Sequence, residues 1–238
     1  MHSPVFFLLT TIAVAAAVDE ACTSIGGTCQ DDSKACHGSY FSGKCSGAGH
    51  IRCCTKTPEE HHTSDCSDVT IVSRDSWGAR RPRSVSPLHV PVKDFFIHHT
   101  ESGSCNSFST CAAVMKSIQS FHMDDAAHHW SDIGYSFLVG GDGKIYEGRG
   151  WDTLGAHTQG YNSVGLAASF IGNFMTSAPN DASLNAVKAL MQCAVTKGKL
   201  QSNYALFGHR DVGSTDCPGT ALYNIIKTWP KFHAHPAK

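Results

Sequence analysis

Between Gly208 and Gly219 the chain reads Gly-His-Arg-Asp-Val-Gly-Ser-Thr-Asp-Cys-Pro-Gly, with an imidazole, His209, and a thiol, Cys217, eight positions apart. The stretch is rich in Gly and turn formers and has no helical periodicity, so it reads as a loop. Histidine and cysteine are good zinc ligands, and a loop can aim both at one ion. A third ligand has to come from elsewhere, and Asp94-Phe95-Phe96-Ile97-His98-His99-Thr100 is the obvious donor. Taken alone, the same residues fit other roles. Cys217 suits half of a disulfide, and His209 suits an ordinary surface position.

Elements able to bring these residues together are legible in the pattern. Asp94 to Thr100 is a strand candidate, and Thr110 to Met123 carries Val114, Met115, Ile118, Phe121 and His122 on one helical face. Tyr135 to Val139 reads as a strand, Gly140 to Gly143 as a hairpin turn, and Lys144 to Glu147 as its partner. Val164 to Ile171 is a further strand, and Ser183 to Val195 a helix with Leu184, Val187, Leu190, Met191 and Ala194 on one side. Tyr204 to Phe207 is a short strand that delivers His209, and Leu222, Ile225, Ile226 and Trp229 mark a last helix stopped by Pro230. The order predicts an α/β fold, a mixed central β-sheet flanked by helices. If the strands holding His98 and ending at Phe207 are neighbours, His98, His209 and Cys217 converge at one sheet end. Three protein ligands with an open fourth position are the layout of a catalytic zinc site. Such a site generates hydroxide near neutral pH and polarises a carbonyl, which favours amide or ester hydrolysis. A thiol hydrolase pair of Cys217 and His209 is the competing chemistry.

The chain has 238 residues, 41% hydrophobic and 16% charged, with a formal net charge of -1. One medium-sized domain plus a small one is expected. A balanced charge without a basic run gives no electrostatic case for nucleic acid. Residues 1–18 hold an apolar run, Val5 to Val14, followed by Ala15-Ala16-Ala17, and read as a signal peptide. No stretch is long enough for a membrane span, so a secreted, extracellular protein is expected. The 11 cysteines agree with an oxidising compartment, and their odd number leaves at least one thiol unpaired. Six of them, Cys22, Cys29, Cys36, Cys45, Cys53 and Cys54, crowd a Gly-rich stretch with few large apolar residues. Such a module needs disulfide staples in place of a core. The expected organisation is a signal peptide at 1–18, a disulfide-rich module at 19–56, a linker at 57–65 and the main domain at 66–238.

The module's pattern, with Ser24-Ile25-Gly26-Gly27-Thr28-Cys29, Gly43-Lys44-Cys45 and Arg52-Cys53-Cys54, resembles the β-defensins and the related part of big defensins. It departs from them in charge. Between Cys22 and Cys54, Lys34, Lys44 and Arg52 stand against Asp31 and Asp32, a balance of only +1. Strong attraction to anionic lipid is not expected from that, and a binding module or spacer is the alternative.

Six motifs in order carry a second resemblance: Ile97-His98-His99-Thr100, Ser131 to Phe137, Tyr146 to Trp151, Gly155-Ala156-His157, Gly208 to Asp211, and Cys217-Pro218-Gly219. From about Ser73 to Pro230 the chain resembles the peptidoglycan recognition proteins, relatives of the phage amidase-type lysozymes. Joined to the defensin-like segment, it is similar to molluscan members. That family contains zinc-dependent N-acetylmuramoyl-L-alanine amidases and binders that lost the metal, often with Ser at the cysteine ligand. The resemblance implies Zn2+ on His98, His209 and Cys217. It gives Tyr135 and, in an auxiliary part, Thr215 catalytic roles. His99, Thr100, His122, His129, Trp130, Arg149 and His157 are implied in binding peptidoglycan. Trp130 and Arg149 lean toward diaminopimelate-type stems, whose extra carboxylate suits a guanidinium, while His129 fits neither known pattern. Asp211 either orients His209 or caps the turn. The family's short disulfide falls on Cys105 and Cys111, leaving Cys66 with Cys193 and Cys217 for the metal. A monomer is expected.

Overall fold

A computed structural model describes residues 19–24, 27–31, 38–47, 50–56 and 66–235. The signal peptide read at 1–18, the linker read at 57–65 and Cys36 lie outside them. The chain divides into two compact units, Met1–His62 and Thr63–Lys238.

In the first unit residues 19–23 are helical (α1). Three antiparallel strands, β1 (Gly27–Asp31), β2 (Gly38–Phe41) and β3 (Ile51–Lys56), form a sheet in the order β1-β3-β2. Cys22–Cys53 and Cys29–Cys45 are bridged, and Cys54 is disulfide-bonded. The staples stand in for the core that so short a module lacks.

The second unit is the expected mixed sheet with helices on both sides. Its strands are β4 (Ile71–Val72), β5 (Val92–His99), β6 (Phe137–Val139), β7 (Ile145–Glu147), β8 (Gly165–Phe170) and β9 (Leu200–Gly208). They lie in the order β4-β7-β6-β8-β5-β9, parallel except for the β6–β7 hairpin. Gly143 turns that hairpin at φ 74°, a conformation open to glycine at little cost.

Strand side chains alternate between faces, and the core follows that alternation. Phe95, Ile97, Phe137, Val139, Leu166, Ala168, Phe170 and Leu206 share one cluster with α4 (Asp181–Thr196) and α5 (Thr220–Ile226). Leu138, Tyr146 and Ile171, on the opposite face, pack with α2 (Arg74–Trp77) and α3 (Phe108–Asp124) through Trp77, Ala112 and Met115. Burial of each large aliphatic side chain contributes roughly 1.5–3 kcal/mol. Phe96, Ala167 and Phe207 form a smaller third cluster, and the strand face that carries Phe96 continues to His98.

Both long helices start at side-chain caps. Ser107 and Thr110 form a reciprocal capping box on α3, and Asn180 accepts the Ser183 N–H on α4. These caps account for helices beginning two residues ahead of their apolar periodicity. The structure corrects three further expectations. Tyr135 lies ahead of β6, in irregular chain, because pairing begins at Phe137. β9 starts at Leu200, four residues early, since polar Gln201, Ser202 and Asn203 suffice on an edge strand. α5 ends at Ile226, and Trp229 packs on the core from the following turn. The two-residue β4 and the four-residue α2 are too short to leave a periodic signal.

Cys105–Cys111 fastens the start of α3, and Cys66–Cys193 ties the unit's beginning to α4 across 127 residues. Closing so long a loop restricts the unfolded chain by about 5 kcal/mol. The paired substitution Cys66→Ser, Cys193→Ser is therefore expected to lower unfolding free energy by about that amount. Guanidinium denaturation checks it, and an unchanged midpoint would refute it.

Candidate metal centre and cleft

β5 and β9 run parallel with Ile97 opposite Gly208. The residue that follows each is a histidine, and the rings of His98 and His209 lie 4.5 Å apart between centroids. The chain then makes a single 3-10 turn, His209–Asp211, where the sequence suggested only loop. Asp211 caps that turn: its carboxylate accepts the Gly208 N–H at 2.7 Å and the Tyr223 hydroxyl at 2.5 Å. Those partners favour capping over orienting His209.

The return of the loop is held by backbone. Arg210 donates its N–H to the Cys217 carbonyl at 2.9 Å, and its guanidinium donates to the Asp216 carbonyl. The Cys217 N–H donates to Thr215 Oγ1 at 3.1 Å. Gly219, at φ 89°, passes so close to Phe174 that a Cβ would sit 2.4 Å from its carbonyl. These contacts carry Cys217 Sγ to 3.6 Å from His98 Nδ1. One ligand atom from each of His98, His209 and Cys217 falls within 4.8 Å of the others.

A tetrahedral ion bonded at about 2.0 Å to nitrogen and about 2.3 Å to sulfur holds such atoms about 3.5 Å apart. The cluster has that scale. Burial holds the imidazoles of His98 and His209 below their ordinary range, leaving neutral rings with lone pairs for a cation. Cys217 is the free cysteine among the described residues, and burial pushes its thiol up to about 12. No group of the protein makes it a thiolate. That disfavours a thiol nucleophile, which requires a depressed pKa, and suits a ligand that loses its proton to a metal. The donor set fits zinc, which takes nitrogen and sulfur ligands together.

Behind the cluster, His98 Nε2 lies 3.2 Å from Thr158 Oγ1, and the same hydroxyl lies 2.9 Å from His157 Nδ1. Asn162 Oδ1 accepts the backbone N–H groups of His157 and Thr158, both at 2.9 Å. Sequence reasoning passed over Thr158 and Asn162. The adjacency of Thr158 to the Gly-Ala-His motif was the one available signal.

Several expected cleft residues gather here. The Tyr135 ring lies 5.4 Å from His98 and 5.7 Å from His122. Loss of hydration raises the phenol above its ordinary value, so it remains an O–H donor. His122 accepts the Gly134 N–H on Nδ1 at 3.1 Å, lies 4.7 Å from the Trp130 ring and is pushed down to about 4 by burial. It stands as a neutral cleft wall. His157 is 5.5 Å from His98, and burial takes it to about 3. Arg149 donates from Nε to the Ile133 carbonyl at 2.8 Å and from Nη1 to the Leu154 carbonyl at 2.7 Å. A guanidinium has five donors, so the braced cation still has N–H groups to offer.

Others stand apart. His99 accepts the Phe174 N–H on Nδ1 at 3.2 Å, and it meets the cluster through its backbone, with its N–H 3.4 Å and its carbonyl 3.9 Å from Cys217 Sγ. Thr100 Oγ1 accepts the Gly172 N–H at 2.9 Å and braces that loop. His129 is exposed at φ 44°, a left-handed conformation that glycine adopts more readily. Thr215 is exposed, and its hydroxyl is engaged with the Cys217 N–H. On the strand beside β5, Ser169 is buried in register with His98 and faces the Tyr135 phenol, while His157 Nε2 is buried without a hydrogen-bond partner. Buried polar atoms are ordinarily paired, which makes His157 Nε2 an exception at this end of the sheet.

The sequence profile of N-acetylmuramoyl-L-alanine amidase (Amidase_2) matches residues 89–220, which include all three cluster residues. The chain is 45% identical over 166 residues to peptidoglycan-recognition protein SC2 of Drosophila simulans, covering 70% of this chain and 89% of that protein. It is 48% identical over 166 residues to N-acetylmuramoyl-L-alanine amidase of Mus musculus, covering 68% of this chain and 31% of that longer protein. A solved structure of peptidoglycan recognition protein-LE, in complex with tracheal cytotoxin (monomeric diaminopimelic acid-type peptidoglycan), matches with a TM-score of 0.68. Its identity is 43%, covering 69% of this chain and 96% of that one. With its mixed sheet, its His/His/Cys cluster and these matches, the chain belongs to the N-acetylmuramoyl-L-alanine amidase family, among the peptidoglycan recognition proteins.

Proposed function

We propose that the chain is a secreted, zinc-dependent N-acetylmuramoyl-L-alanine amidase of innate immunity, cleaving the bond between the lactyl group of muramic acid and L-alanine. The observation that carries this reading is the convergence of His98, His209 and Cys217 at ligand spacing. Zinc on these residues supplies Lewis acidity, polarising a carbonyl and making water a nucleophile at neutral pH. The chain's own contribution is positional and electrostatic. Tyr135, protonated and beside His98, is the donor for the oxygen that gains charge as the amide is attacked. Thr215 holds the backbone of Cys217, which supports a positioning part in the loop. Trp130, His122 and His157 line the cleft, and His99, Thr100 and His129 border it.

A diaminopimelate-type stem is favoured as substrate. Arg149 is a braced cation near the cleft, and the relative named above was solved with a ligand of that type. Secretion is supported by disulfides in both units and by the leader-like start of the sequence. The first unit is read as a defensin-like binding module or spacer, as in molluscan members, and the protein as a monomer. A second reading, recognition without hydrolysis, has its own support: relatives carry both kinds of name. Binding and hydrolysis are compatible in one cleft.

Purified protein incubated with diaminopimelate-type and lysine-type peptidoglycan is expected to release free stem peptides by mass spectrometry. Cys217→Ser is expected to release none while still binding the polymer. Equal release by the variant would sink the metal assignment, and release by neither would leave the recognition reading. Metal analysis is expected to find about one zinc per chain, removed by chelation with loss of hydrolysis. In the Cys217→Ser background, Arg149→Gln is expected to weaken binding of a diaminopimelate muropeptide about tenfold, the scale of one charged hydrogen bond. The lysine-type affinity should barely move by calorimetry. Equal weakening of both would restrict Arg149 to bracing Ile133 and Leu154.

A further inference from the structure

Thr158 is buried and has one hydroxyl proton to give, yet its oxygen faces two imidazole nitrogens at hydrogen-bond distance. A hydroxyl donates once and accepts up to twice, so at least one ring must donate to it, and giving its own proton to the other ring leaves the fewest buried polar atoms unpaired. His98 has its Nδ1 toward Cys217 Sγ and its Nε2 toward Thr158. A neutral imidazole that offers Nδ1 to a cation carries its proton on Nε2, and that N–H donates to Thr158 Oγ1. The hydroxyl proton is then directed to His157 Nδ1. His157 in turn carries its proton on Nε2, a buried atom with no partner of its own.

We infer that Thr158 is a positioning residue that sets the tautomers of His98 and His157. It keeps His98 Nδ1 free as a ligand atom and makes His157 Nε2–H a donor beside the cluster. The inference rests on the metal reading proposed above for the use of Nδ1, but the tautomers themselves exist without metal. Asn162 makes the arrangement rigid. By accepting the N–H groups of both His157 and Thr158 it fixes the backbone from which the hydroxyl and one ring project. Outer partners of this kind orient a ligating ring, and their loss ordinarily costs about 10–100-fold in metal affinity.

The test uses the full chain as wild type, Thr158→Val and Thr158→Ser, with zinc affinity read by competition against a chromogenic chelator. Thr158→Val, nearly the same shape without the hydroxyl, is expected to bind zinc about 10–100-fold more weakly. Thr158→Ser, which keeps the hydroxyl, is expected to stay near wild type. A second readout is nitrogen-15 NMR of the metal-free protein, where His98 should carry its proton on Nε2 in wild type and lose that preference in Thr158→Val. Unchanged affinity and unchanged tautomers in Thr158→Val would overturn the inference, as would a Ser variant as impaired as Val. A wild type that binds no zinc would overturn the metal reading instead, and the NMR comparison would still decide the part played by Thr158.

Discussion

The parallel register of β5 on β9 is the constraint on which the site depends. Neighbouring strands lie about 4.8 Å apart, so pairing Ile97 with Gly208 leaves His98 and His209 in ring contact. A slip of one residue on either strand would turn that strand's side chains to the opposite face, and the two rings would part. What prevents the slip is apolar packing on both faces. Phe95, Ile97 and Leu206 are locked under α4 and α5, while Phe96 stacks on Phe207 at 5.7 Å on the other side. Core and site are therefore one structure, and the residues that hold the register are not those that do chemistry.

The centre so formed is electrostatically expensive. Burial keeps two imidazoles neutral and a thiol protonated, with Arg210 offsetting only part of the thiol's loss of hydration. Such an arrangement persists because most of its polar atoms are given fixed partners by rigid surroundings. Arg210 and Asp211 close the loop that carries Cys217, Asn162 fixes the loop that carries Thr158, and Phe174 closes on His99 and Gly219. Little reorganisation is left to occur when charge develops in the cleft, the condition under which fixed dipoles act most strongly.

The fold by itself does not separate hydrolysis from recognition, since function resides in sites carried on a fold. Relatives bearing both kinds of name share this one. Under the zinc reading proposed above, Cys217 carries the difference, because a neutral hydroxyl in its place is a far poorer partner for zinc than a thiolate. The first unit, with its disulfide-stapled sheet, is built on a different principle from the second. In one, covalent bonds hold a chain too small to bury a core; in the other, two apolar layers do the holding.

Much of this was present in the linear chain. Short apolar runs within Asp94–Thr100 and Val164–Ile171 located two central strands, as expected of strands buried on both faces, and the helical faces of 110–123 and 183–195 located both long helices, because that period follows from backbone geometry. The odd cysteine count freed one thiol, and the motifs around His98, His209 and Cys217 supplied a ligand set. Helix starts were misjudged by two residues because caps act through polar side chains outside the apolar period. Tertiary structure alone decided the rest. It turned His99 toward Phe174, gave Asp211 to Gly208 and Tyr223, held His129 at positive φ, and inserted Thr158 between two rings. Local periodicity records which face of an element is buried. It carries no record of which loop, distant in sequence, brings a hydroxyl within 3.2 Å of a histidine, because that distance is set by the packing of whole layers.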